Sequence, residues 1–146
     1  MSTDYLKLLL RTLQQFREHE ILCDTIVVTD DRELHAHSVI LAAASPFICS
    51  SFTDLTGSSC ATPTASVRYS VNLPGCDAAA AEIVLRFLYT GKLTMPIAFR
   101  NTEDFRRILN VCKMMGVDVQ QMNGTPVSFE GSTARTDWFV FITYDR

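Results

Sequence analysis

Basic residues never gather into a run in this 146-residue chain, whose 13 Lys and Arg face 16 Asp and Glu for a net charge of −3. A phosphate-binding stripe is therefore missing, and direct nucleic-acid binding by these residues is not expected. The longest apolar stretches fall far short of the roughly 20 residues a membrane helix needs. The opening Met1-Ser2-Thr3-Asp4 puts an acid where a secretory signal carries positive charge. No Cys-x-x-Cys pair occurs among Cys23, Cys49, Cys60, Cys76 and Cys112. Structural zinc and thioredoxin-like chemistry are therefore not expected, and the cysteines read as small apolar residues in a reducing compartment. Asp24, a histidine and Ser38 form an imaginable hydrolase set, but no nucleophile elbow or oxyanion hole accompanies them. The expectation is a soluble intracellular chain that is not an enzyme and holds no cofactor.

What is present suffices for a core. With 47% hydrophobic and 20% charged residues, the composition is that of one folded domain. Leu6, Leu9, Leu10, Leu13 and Phe16 recur at helical spacing, which predicts an amphipathic helix over about residues 4–18. A lone helix of this length is marginal in water. Burying five such side chains contributes on the order of 10 kcal/mol before entropy costs, so the stripe needs a groove in its own domain or in another chain. Residues 23–29 are rich in β-branched side chains and predict a strand. Asp30-Asp31-Arg32 is a polar turn, and residues 33–36 a returning strand. Ser38 is expected to cap a helix through residues 39–44, and Ser45-Pro46 repeats the start signal for another carrying Phe47, Ile48 and Phe52.

Residues 56–66 are a loop by composition. A strand follows over residues 67–73, with Val67, Tyr69, Val71 and Leu73 on one face. Asp77 is placed to cap a helix whose Ala80, Ile83, Val84 and Phe87 share a face, and Gly91 stops it. Thr102 is expected to cap a last helix with Phe105, Ile108, Leu109, Cys112 and Met115 on one side, ended by Gly116.

Three stretches now stand in order. Leu22-Cys23-Asp24-Thr25-Ile26-Val27-Val28 is the first, Leu34-His35-Ala36-His37-Ser38-Val39-Ile40-Leu41 running on to Ser45-Pro46-Phe47 the second, and Leu85-Arg86-Phe87-Leu88-Tyr89-Thr90-Gly91-Lys92-Leu93 the third. Together they resemble the signatures of the BTB/POZ domain family, over about residues 4–120, and most of all the N-terminal domain of BTB–zinc-finger transcriptional regulators. The resemblance implies an α/β (α+β) fold, a helical cluster flanked by a short mixed sheet. It implies a BTB domain over residues 1–122; residues 123–146, beyond the family pattern, read as a C-terminal β-type extension. It further implies a protein-interaction module that forms homodimers, or heterodimers with other BTB domains, and recruits transcriptional co-regulators or, alternatively, a cullin ubiquitin ligase. On this reading Leu6, Leu9, Leu10, Leu13, Phe16, Cys23, Asp24 and Ile40 form the dimer interface, and Asp24, His37 and Ser38 meet the partner. The nucleus is the expected location, with the cytoplasm as the alternative. Zinc fingers would lie beyond this chain, since no Cys-x₂-Cys…His pattern occurs in it.

The chain departs from the family pattern in three places. Ser38 stands where a Lys or Arg is expected after the His-x-His pair; in the repressors that cation and the aspartate matching Asp24 line a charged pocket. A buried carboxylate without a counter-charge is costly. Asp24 is therefore expected to be more exposed, paired with another cation, or partly protonated. Ala80-Ala81 replaces a usual Phe, which hollows that helix face or leaves room for something else. In Asp54-Leu55-Thr56-Gly57-Ser58 the acid falls on the wrong side of the leucine for a cullin-binding motif.

Two features stand outside the resemblance. His35 and His37 are spaced for one strand face, but no third metal ligand is evident, and no metal is expected. At the end of the chain, Trp138, Val140, Ile142 and Tyr144 alternate with Phe139 and Phe141, a strand apolar on both faces that wants burial or a partner. Residues 127–129 are a candidate to pair with it across Gly131-Ser132-Thr133.

Overall fold

In a computed structural model of the chain, residues 3–55, 67–95, 101–117 and 127–129 are described. The apolar stripe forms α1 (Thr3–Glu18). The β-branched run forms β1 (Thr25–Val28), which turns through residues 30–32 into β2 (Glu33–Ala36), antiparallel with Thr25 opposite Ala36. The Thr29 hydroxyl closes that turn by donating to the Arg32 carbonyl at 2.6 Å. Two short helices follow, α2 (Ser38–Ala44) and α3 (Pro46–Leu55). Ser45 separates them: its hydroxyl accepts from the Ile48 amide at 3.1 Å and donates to the Met115 carbonyl at 2.7 Å, so one side chain caps α3 and ties it to the last helix.

Beyond residues 56–66, which were expected to be a loop and lie outside the described residues, β3 (Tyr69–Asn72) returns parallel to β1, giving the sheet order β2-β1-β3. Next comes α4 (Ala78–Thr90), capped by Asp77, which accepts from the Ala80 amide at 3.1 Å, and ended by Gly91 at φ 73°. Buried residues lie all round α4, as expected of a helix at the centre of a cluster. α1, α2, β2, β4 (Leu93–Met95) and α5 (Thr102–Met115) all lie against it. Ala80 and Ala81 are fully buried in this core, with Val27, Leu41, Val84, Leu85 and Ile108.

Several expectations shift by a residue or change partner. Asn101, not Thr102, caps α5, in a reciprocal box in which its side chain accepts from the Asp104 amide and Asp104 accepts from its own. Asn is the better cap, and the box places its acid three residues on. β5 (Val127–Phe129) pairs parallel with β4, Leu93 opposite Val127, so this part of the C-terminal extension adds a strand to the body of the domain. The segment expected to pair with it, residues 136–144, lies outside the described residues, as does Cys60. No described helix is long and apolar enough to cross a membrane.

Candidate interaction surface

α1 rests on α4 through its second half, and polar side chains make the contact. Arg17 is 5% exposed and donates to both carboxylate oxygens of Glu82, at 2.9 and 2.6 Å. Its Nε donates to the buried Gln14 at 3.2 Å, and its guanidinium lies 5.5 Å from the centre of the Tyr89 ring. A planar fork facing a carboxylate is the strongest of the ordinary side-chain pairings. Leu13 and Phe16 are only half-buried. Toward the start of the helix, Leu6, Leu9 and Leu10 are exposed, at 45%, 42% and 37%, and so are Tyr5 and Leu8.

The second polar cluster locks the chain between α1 and β1. The His37 amide donates to the Tyr89 hydroxyl oxygen at 2.8 Å, and that hydroxyl is also bonded to His37 Nδ1. Nε2 lies 2.8 Å from the Ile21 carbonyl, which only accepts, so Nε2 carries the ring proton and Nδ1 accepts from the Tyr89 O–H. Burial pushes Tyr89 up to about 12, which keeps that hydroxyl protonated. Glu20 and Leu22, on either side of Ile21, adopt the left-handed φ values of 58° and 59°. Such residues cost roughly 1–3 kcal/mol, and the Ile21–His37 bond helps hold them. His37, expected to meet a partner, is instead 7% exposed with both ring nitrogens used inside the chain. The reason is positional: it follows β2 and precedes α2, and its ring meets Tyr89 and the Ile21 carbonyl.

Asp24 is only half-buried, in line with the first of the three settings expected of it, and no cation pairs with it among the described residues. Its Oδ1 accepts from the Ser38 amide at 2.7 Å and the Thr25 hydroxyl at 3.1 Å, and its Oδ2 from the Ser38 hydroxyl at 2.6 Å. Ser38 was expected to cap α2; the capping position belongs to His37, which makes no side-chain cap bond, and Asp24 supplies the acceptor from 14 residues away. Burial pushes the carboxyl up, but the bonds from Ser38 and Thr25 outweigh it and hold Asp24 below its usual range. Serine thus replaces a cation with two neutral donors, one of them at a helix start. The same bonds dissolve the imagined hydrolase set, since Ser38 donates to Asp24 and His37 faces Tyr89 and Ile21. Cys23 is half-buried with its Sγ 3.6 Å from His37 Nε2, and burial raises its thiol. His35 Nε2 sits 3.4 Å from Glu20, and no cluster of three metal-ligating side chains occurs among the described residues.

Four of the predicted surface residues line two depressions. Leu10 and Ile40 share an apolar groove of about 440 Å³ with Ala43, Ala44, Phe87 and Leu88, at the open end of α1. Cys23 and Asp24 share another with Leu22, His35 and Val67. Sequence reasoning missed Ala43 and Ala44, whose small size is what opens the first groove, and missed the pairing of Arg17 with Glu82.

Against this geometry, the sequence model of the BTB/POZ domain matches residues 13–123. The chain belongs to the BTB/POZ family. BTB domains are protein–protein interaction modules, and the mixed fold expected from the sequence is the one found. Kelch repeat and BTB domain-containing protein 2 of Pongo abelii is similar, with 30% identity over 95 residues, 65% of this chain. Kelch-like protein 3 of Homo sapiens is 42% identical over 43 residues, 30% of this chain. The chain spans only 14% and 7% of the length of those two relatives. Among solved structures, the BTB domain of zebrafish PATZ1 shares the fold, with a TM-score of 0.58 over 79% of this chain and 83% of that one at 21% identity.

Proposed function

We propose that this BTB domain works as a homodimer, the exposed start of α1 on each copy seated in the apolar groove of the other. One observation carries the reading: Leu10 lines an apolar groove with Ile40, Ala43, Phe87 and Leu88, and Leu6 and Leu9 stand exposed on the same helix. Covering three half-exposed leucines contributes about 1 kcal/mol each per copy, and the two copies contribute alike because a two-fold contact uses every patch twice. Heterodimers with other BTB domains would use the same surface. Tagged and untagged chains mixed, unfolded and refolded together test it: the untagged chain is expected to co-purify with the tagged one, and its absence overturns the proposal.

The dimer then offers its remaining surface to a recruited protein. A co-regulator of transcription, with the chain acting in the nucleus, is the role the sequence resemblance suggests. The Asp24–Ser38 bonds support a cullin-adaptor role as the second reading, compatible with the cytoplasm, because they use up the carboxylate that a charged co-repressor pocket would present. Pull-down with a cullin N-terminal region separates the two: stoichiometric capture favours the adaptor, and no capture favours the regulator.

A further inference from the structure

A cleft of about 360 Å³ lies along α1 on the flank opposite Leu9 and Phe16, closed on its other side by the end of α4 and by β4. Lys7 and Arg11, one helical turn apart, line one wall. Arg86 and Lys92 line the other. Glu18 is the one carboxylate among the described residues lining it, so cations outnumber acids there on a chain whose net charge is −3. Arg86 leans on Glu82 at 3.8 Å. Among the described residues, Lys7, Arg11 and Lys92 have no ion-pair partner. Leu10 gives the cleft an apolar edge, and the exposed Gln15 adds a hydrogen-bonding group.

We propose that this cleft binds an acidic peptide segment of a partner protein, whose carboxylates sit between Lys7, Arg11 and Lys92. Like charges held across a concave surface repel each other and gain most from an anion between them. The exposed Gln15 suits the amides of a peptide backbone. A nucleic acid fits less well, because the positive charge ends with the cleft and the rest of the chain repels a long polyanion. The cleft shares only Leu10 with the groove of the dimer reading. Lys7 and Arg11 lie off the stripe, so the charged wall stays open whether or not a second copy covers Leu6 and Leu9.

The test uses the full chain and a fluorescein-labelled peptide of alternating Glu and Ser, read by anisotropy at low salt. Saturable binding is expected. Lys7→Glu with Arg11→Glu should weaken it on the order of tenfold, and Lys92→Glu by less, with solution mass unchanged. Reversal of exposed cations elsewhere, Arg32→Glu or Arg68→Glu, should leave binding as it was. The proposal is overturned by a lack of saturable binding, by equal binding of a Gln–Ser peptide, by control reversals that weaken binding as much, or by tighter binding of single-stranded DNA that the Lys7 and Arg11 reversals abolish.

Discussion

The two halves of α1 invert the ordinary rule of burial. From Thr12 to Glu18 the residues most hidden are Gln14 and Arg17, both polar, and from Tyr5 to Leu10 the residues left in water include four leucines. The difference lies in what each half meets. The second half meets Glu82 and Tyr89 on α4, where a buried guanidinium is satisfied by two carboxylate oxygens and an aromatic face. The first half runs past the end of α4, and the groove beside it is bordered by alanines too small to reach it. Polar burial thus fixes the angle of the helix, and apolar exposure is what the fixed angle presents. A buried ion pair adds little net stability but penalises wrong arrangements strongly, which suits a helix that must hold a surface out for a partner.

Breaking the polar half should cost most. Glu82→Ala strands Arg17 in the interior and is expected to destabilise the fold by about 3 kcal/mol in urea unfolding, while Arg17→Met with Glu82→Leu should fall within about 1 kcal/mol of the parent. If the double change also loosens α1, its exposed leucines should become still more accessible to hydrogen exchange of their amides. Tyr89→Phe removes the hydroxyl that serves two His37 groups and should cost about 2 kcal/mol.

Asp24→Asn sharpens the comparison by pH. Asp24 titrates below its unfolded value in the folded chain, so its contribution is complete above the unfolded pKa and is lost as pH falls through the folded one. The variant should be weaker by about 1 kcal/mol at neutral pH, and the gap should close below about pH 4. Leu8→Ala should do least. Leu8 is exposed and lies off the stripe, so stability should change by less than about 0.5 kcal/mol and solution mass not at all.

Much of this architecture was legible because it is local. Helical spacing gave α1, and the β-branched run and polar turn gave the β1–β2 pair. Asp77, Gly91 and Gly116 act where a cap and two left-handed stops were expected. Contacts between distant residues were not legible. Arg17 sits within an apolar periodicity and finds Glu82 from 65 residues away, so its own surroundings in sequence name no partner. Asp24 caps a helix that its neighbours do not belong to, which is why Ser38 took that role in the sequence reading. The parallel pairing of β1 with β3, and of β4 with β5, likewise leaves no short turn in the sequence to announce it. Of the candidate site, the exposed leucines were legible as a stripe; the groove beside them was not, because alanines mark a hollow only once the helices are placed.

Sedimentation equilibrium on the wild-type chain and on Leu6→Asp with Leu9→Asp tests the central claim most directly. Both positions are exposed on the single chain, so the paired change should leave the fold intact by circular dichroism. The account predicts twice the 16.3 kDa chain mass for the wild type and a single, folded 16.3 kDa species for the variant. A wild-type chain that stays folded and single at high concentration contradicts it.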